Sequence, residues 1–78
     1  MTKDKIHTIL KTLAEEELSW ESLPSGSFSQ TLDSMQRMSL VVAIEDHFLI
    51  CFDPEDEEEI DNLDSLIDMI FHKLETIQ

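Results

Sequence analysis

The chain has one cysteine, one glycine, two prolines, no tyrosine and only five lysines and arginines among its 78 residues. Each shortage excludes something. Cys51 has no partner for an internal disulfide and there is no C-x-x-C pair, so a reducing, cytoplasmic setting is expected. Within the apolar run Phe48-Leu49-Ile50-Cys51-Phe52 it is expected to be buried as a small hydrophobe. Five cations against 18 acids leave a formal charge of −13. That field repels nucleic acid and anionic membrane surfaces and complements a basic protein patch. No apolar stretch reaches the roughly 18 residues of a membrane-spanning helix. The first residues, with Asp4 and no apolar core, do not read as a signal peptide.

Enough is present to fold. Leu, Ile, Val and Phe make up 24 of the 78 residues, well above the level of about a fifth that marks chains unable to form a core. One compact acidic domain over residues 1–78 is expected, too small to enclose a deep, water-excluded active site. The segment Lys3 to Leu18 spaces Ile6, Ile9, Leu10 and Leu13 as one helical face, with Thr2 or Asp4 as the cap. Ser19 to Leu32 carries Pro24, Gly26 and five serines and reads as a loop, with Trp20, Leu23 and Phe28 packing it onto the core. A second helix runs from Asp33 or Ser34 through Phe48. A connection over Leu49 to Glu55 follows, with Pro54 fixing a turn. The acidic cluster Glu55 to Glu59 opens a short helix ending near Asp61, and the last helix covers Leu63 to Ile77. The predicted architecture is all-α: a small four-helix bundle of three long helices and one short one. No sustained alternation supports a sheet.

Catalytic and metal constellations are missing. His7, His47 and His72 lie on three different segments, each expected on a solvated helix surface. There is no G-x-S-x-G elbow and no H-E-x-x-H. An enzyme is not expected. Asp53 to Asp64 holds eight carboxylates in twelve residues. An EF-hand loop counted from Asp53 would need glycine at its sixth position, where Glu58 stands. The cluster therefore reads as a solvated acidic face, and no metal site is expected.

The second helix is the informative element. Leu40, Val41, Ile44 and Phe48 form a stripe suited to the core, while Met35, Met38 and Val42 form a second apolar row on a neighbouring face. That row ends beside Glu45 and Asp46. It reads either as a docking surface for a protein with a basic edge or as flexible core filling. Ser34 opens this helix after a 14-residue loop. A phosphate attached there would meet free backbone N–H groups and the positive end of the helix dipole; a simple capping serine is the alternative.

The stretch Asp33-Ser34-Met35-Gln36-Arg37-Met38-Ser39-Leu40-Val41-Val42-Ala43-Ile44-Glu45-Asp46-His47-Phe48 resembles the acyl carrier protein family. It is similar to that family's D-S-L followed by an amphipathic helix ending in acid-acid-x-Phe. The first helix, the long Phe28-containing loop, the Pro54 turn, the acidic short helix and the Ile60-Asp61-Asn62-Leu63 junction follow in the family's order.

The resemblance implies a four-helix carrier, not an enzyme, whose Ser34 receives 4′-phosphopantetheine from coenzyme A through a separate magnesium-dependent phosphopantetheinyl transferase. The arm's thiol then holds acyl or aminoacyl groups as thioesters, as in fatty-acid or polyketide biosynthesis. By the same resemblance Asp33, Met35, Met38, Val42, Glu45 and Asp46 fall on positions that meet partners: acyl-loading ligases or synthases with basic docking patches. Ser65, with only 13 residues after it, corresponds to a structural position. A monomer is the default at this charge.

Gln30-Thr31-Leu32 replaces the Leu-Gly usual before D-S in bacterial fatty-acid carriers. Gln36, Arg37 and Ser39 stand where acids are usual. This weakly acidic front, with Arg37 placing positive charge on it, points to a specialised carrier outside housekeeping fatty-acid synthesis. An unmodified, carrier-like acidic adaptor for basic proteins and a loose divalent-cation buffer remain as other readings.

Overall fold

The computed structural model describes residues 2–21, 23–24 and 26–76. Its helices are α1 (Lys3–Glu16), α2 (Phe28–Thr31), α3 (Ser34–Phe48), α4 (Pro54–Glu59) and α5 (Leu63–Thr76), with no strand among the described residues. This is the expected small helical bundle with an added single turn, α2, inside the predicted loop.

Thr2, not Asp4, caps α1: its Oγ1 accepts from Lys5 N at 3.2 Å. The helix stops at Glu16, two residues before the predicted end, because Leu18 N reaches back to Leu13 O and Ser19 takes a left-handed backbone (φ 58°). Trp20 N then closes on Ala14 O at 2.8 Å, returning the chain toward the bundle. Ile6, Leu10 and Leu13 of α1 meet Leu40, Ile44 and Phe48 of α3 and Leu66, Ile67 and Ile70 of α5 in one core. Burying the apolar faces of these three long helices supplies most of the drive to fold. The core stripe predicted on α3 (Leu40, Val41, Ile44, Phe48) is buried throughout.

Phe28 explains the single turn of α2. It is 1 % exposed and belongs to the hydrophobic core. Its backbone N–H donates to Asp61 O, while Ser27 Oγ donates to Asp61 Oδ1 at 3.0 Å. Trp20 and Leu23 pack against the core, half-buried, as the loop reading required, and Leu32 packs there with them.

Two expectations about the segment after α3 are overturned. Pro54 does not fix a turn outside a helix; it is the first residue of α4, where its fixed φ suits the helix and its missing N–H costs nothing. Cys51 is exposed, not buried. Leu49 sits in the left-handed region (φ 58°), ending α3, and the chain then continues without regular secondary structure up to Pro54. Along it Ile50 is buried, Cys51 exposed and Phe52 half-buried. The apolar run is thus divided by backbone geometry, and Leu49 itself is left 83 % exposed.

Helix α4 buries none of its own side chains. It is held instead by tethers. Lys73 Nζ pairs with Asp56 Oδ2 at 2.9 Å, with both side chains about one-quarter exposed, and the buried Ile60 anchors its exit. Asn62 caps α5 by accepting from Ser65 N at 2.8 Å and Ser65 Oγ at 3.0 Å. The predicted final residue of the last helix, Ile77, lies outside the described residues.

Candidate functional site

Helix α3 begins with a capping box. Asp33 Oδ1 accepts from Gln36 N at 2.8 Å, and Gln36 Oε1 accepts from Asp33 N at 3.1 Å. A helix leaves four N-terminal N–H groups without intrahelical partners. Here the box satisfies those of Asp33 and Gln36, and no partner is present among the described residues for those of Ser34 and Met35. Ser34 is the first helical residue and its side chain is exposed. Its hydroxyl therefore stands in solvent beside two open N–H groups at the positive end of a 15-residue helix. Ser65, the other serine preceded by Asp, is half-buried and spends its hydroxyl on Asn62.

The second apolar row is exposed rather than used as core filling: Met35 is 80 %, Met38 67 % and Val42 48 % exposed. It forms one wall of an open groove of about 460 Å³, whose other wall is Glu17 and Leu18 at the end of α1 and whose far end is Asp46. Of the two acids that close the row, Asp46 is exposed, whereas Glu45 turns back to accept from Phe52 N at 2.8 Å. Glu45 thereby secures the segment after α3 and contributes less to the outward field than its sequence position suggests.

Arg37 departs most from expectation. It does not present positive charge on the front of α3. It is half-buried, and its Nη2 donates to the carbonyls of Glu57 and Ile60 at the C-terminal end of α4. Its charge meets the negative end of that helix's dipole, which leaves the Met35–Asp46 face without an outward cation. The sequence carried a signal for this. The last turn of α4 has no basic residue and no glycine follows it, so its carbonyls need an outside donor. Arg37 is the only arginine of the chain.

His7, His47 and His72 are exposed, as expected, and no cluster of three or more metal-ligating side chains occurs among the described residues. No helix among them is long and apolar enough to cross a membrane.

No family model matches the sequence. The backbone superposes on the crystal structure of an acyl carrier protein from Thermotoga maritima with a TM-score of 0.82 and 26 % identity, covering 97 % of this chain and 94 % of that one. The fold is that of an acyl carrier protein. The agreement spans nearly the whole of both chains, so it includes the loop carrying α2 and the short α4 as well as the three long helices. A carrier role is supported by this acyl-carrier fold. In that frame the exposed serine, the exposed apolar row and the groove lie together along α3.

Proposed function

We propose that the chain, as a single carrier domain over residues 1–78, holds acyl or aminoacyl groups as thioesters on a 4′-phosphopantetheine arm attached to Ser34. The observation that carries this reading is the exposed Ser34 hydroxyl at the first position of α3, next to two unpartnered N–H groups. In the attachment, a phosphoester bond forms from Ser34 Oγ to the pantetheine phosphorus of coenzyme A. The pyrophosphate bond breaks, the adenosine bisphosphate leaves, and the serine proton passes to a base of the transferase. The N–H groups of Ser34 and Met35 suit the resulting phosphodiester charge, while the Asp33–Gln36 box fixes the helix start that aims the hydroxyl outward.

When bound, the arm supplies the thiol that carries the acyl group; this chain supplies address and orientation. Asp33, Met35, Met38, Val42, Glu45 and Asp46 form the face offered to the phosphopantetheinyl transferase and to acyl-loading ligases or synthases with basic docking patches. Asp46 and Asp33 give the outward charge and the methionines an adaptable apolar contact. With Gln36 and Ser39 in place of acids, the face is specific to a dedicated partner. That supports a specialised, non-catalytic carrier acting as a cytoplasmic monomer outside housekeeping fatty-acid synthesis.

Intact-mass measurement after incubation with coenzyme A, magnesium and a broad-specificity transferase tests the attachment. One phosphopantetheine on the wild type and none on Ser34→Ala is the expected result. Failure with several transferases, in protein shown to be folded, overturns the reading in favour of an unmodified adaptor.

A further inference from the structure

We infer that the groove between the end of α1 and α3 is the resting bed of the pantetheine arm borne by Ser34, an inference that rests on the attachment proposed above. Three properties of the groove point to this occupant.

The first is continuity. Residues four apart on a helix share a face one turn apart, so Met38 lies directly along α3 from Ser34, and Met35, which lines the groove, is the next residue in the chain. A group rooted on Ser34 Oγ enters the groove without crossing the helix.

Length is the second. At about 1.5 Å per residue, the groove's α3 wall from Met35 to Asp46 extends about 16 Å. The arm from the serine oxygen to its sulfur has about fourteen bonds, and at a reach of roughly 3.5 Å per three backbone bonds it also extends about 16 Å.

Third, the chemistry matches along that length. Met38, Val42 and Leu18 give an apolar strip for the arm's methyl pair and methylenes, and the carboxylates of Glu17 and Asp46 flank the strip as acceptors for its hydroxyl and amide N–H donors. The bundle interior offers no comparable place. The inward residues of the same helix, Leu40 and Ile44, are 2 % and 0 % exposed and close-packed with α1 and α5. Covalent attachment makes the encounter intramolecular, so a weak, shallow groove suffices, and an arm held this weakly is displaced when a partner docks on the same Met35–Asp46 face.

The test is NMR on the isotopically labelled full chain in apo and modified forms, with attachment to Ser34 established first by mass. The expected result is a set of NOEs from the arm's methyl pair to the methyls of Met38, Val42 and Leu18, with amide shifts along α3 and at Glu17–Leu18 but not along α5. Leu18→Ala, which removes part of the wall opposite α3, should weaken those NOEs. Shifts confined to the residues beside Ser34, or NOEs to the α4–α5 side of the bundle, overturn the inference while leaving the attachment intact. Absence of any attachment would instead refute the reading beneath it, and the inference with it.

Discussion

Arg37→Ala is the most informative substitution the structure offers. The guanidinium makes two charge-assisted hydrogen bonds to the last carbonyls of α4, and hydrogen bonds to charged groups contribute about 1.5–3 kcal/mol each. Arg37 is half-buried, so water recovers part of this for the freed carbonyls, and a net loss of about 2–3 kcal/mol is expected. For a domain of this size, 1 kcal/mol corresponds to about 4–8 °C in Tm. The melting midpoint followed by circular dichroism should therefore fall by about 8–24 °C, with a matching shift of the urea midpoint. Arg37→Lys keeps the charge, but its point-like ammonium on a differently shaped side chain does not reproduce the guanidinium's placement of Nη2 between the two carbonyls, so its loss should lie between wild type and alanine. If Arg37 served as an outward docking cation instead, Arg37→Ala would leave stability within about 0.5 kcal/mol of wild type. That result would refute the reasoning.

Other expectations follow from single contacts. The Lys73 ammonium hydrogen-bonded to Asp56 is the main cause holding that carboxyl below its ordinary value of 3.8, with the Asp53 backbone N–H adding to it. A carboxyl depressed in the folded state stabilises above its unfolded pKa, and the gain is lost as pH falls through the folded value. Urea midpoints measured from pH 6 downward should show Asp56→Asn losing less stability than wild type below about pH 4. Leu49, 83 % exposed in a left-handed backbone, should accept asparagine with a gain of about 0.5–1 kcal/mol in urea denaturation. Ser65→Ala should cost about 1 kcal/mol for its half-buried bond to Asn62 while still accepting phosphopantetheine, as read by intact mass.

What could be read from the sequence was what depends on local period and local capping. The apolar stripes of α1 and α3 repeat at helical spacing and lie in the core where they were placed. The methionine row could be set apart because it occupies a second face of a helix whose first face already fills the bundle. The start of the site helix was legible for the same reason: Asp33 caps the residue three places on, Gln36. What escaped depends on distant partners. The turn of α2 exists because Phe28 finds a place in the core and Asp61 accepts its N–H, neither of which local spacing records. Arg37 read as a surface charge because its acceptors lie 20 and 23 residues further on. Glu45 likewise bonds seven residues ahead. Cys51 was misplaced because one left-handed residue, Leu49, ends the helix, and the residues after it do not continue that helix's buried stripe.

The absence of buried side chains in α4 has a consequence for how the protein opens. Elements held mainly by polar ties at the surface open locally at a lower free energy than the packed core that carries them. Amide hydrogen exchange should therefore separate the molecule into two cooperative units: a slow one comprising α1, α3 and α5, and a fast one centred on Pro54–Glu59. Because the fast unit carries a dense run of carboxylates and is tied down partly by the Asp56–Lys73 pair, added salt screens both its self-repulsion and its attachment. The balance of those two effects, not the stability of the bundle, decides how often this side of the molecule detaches.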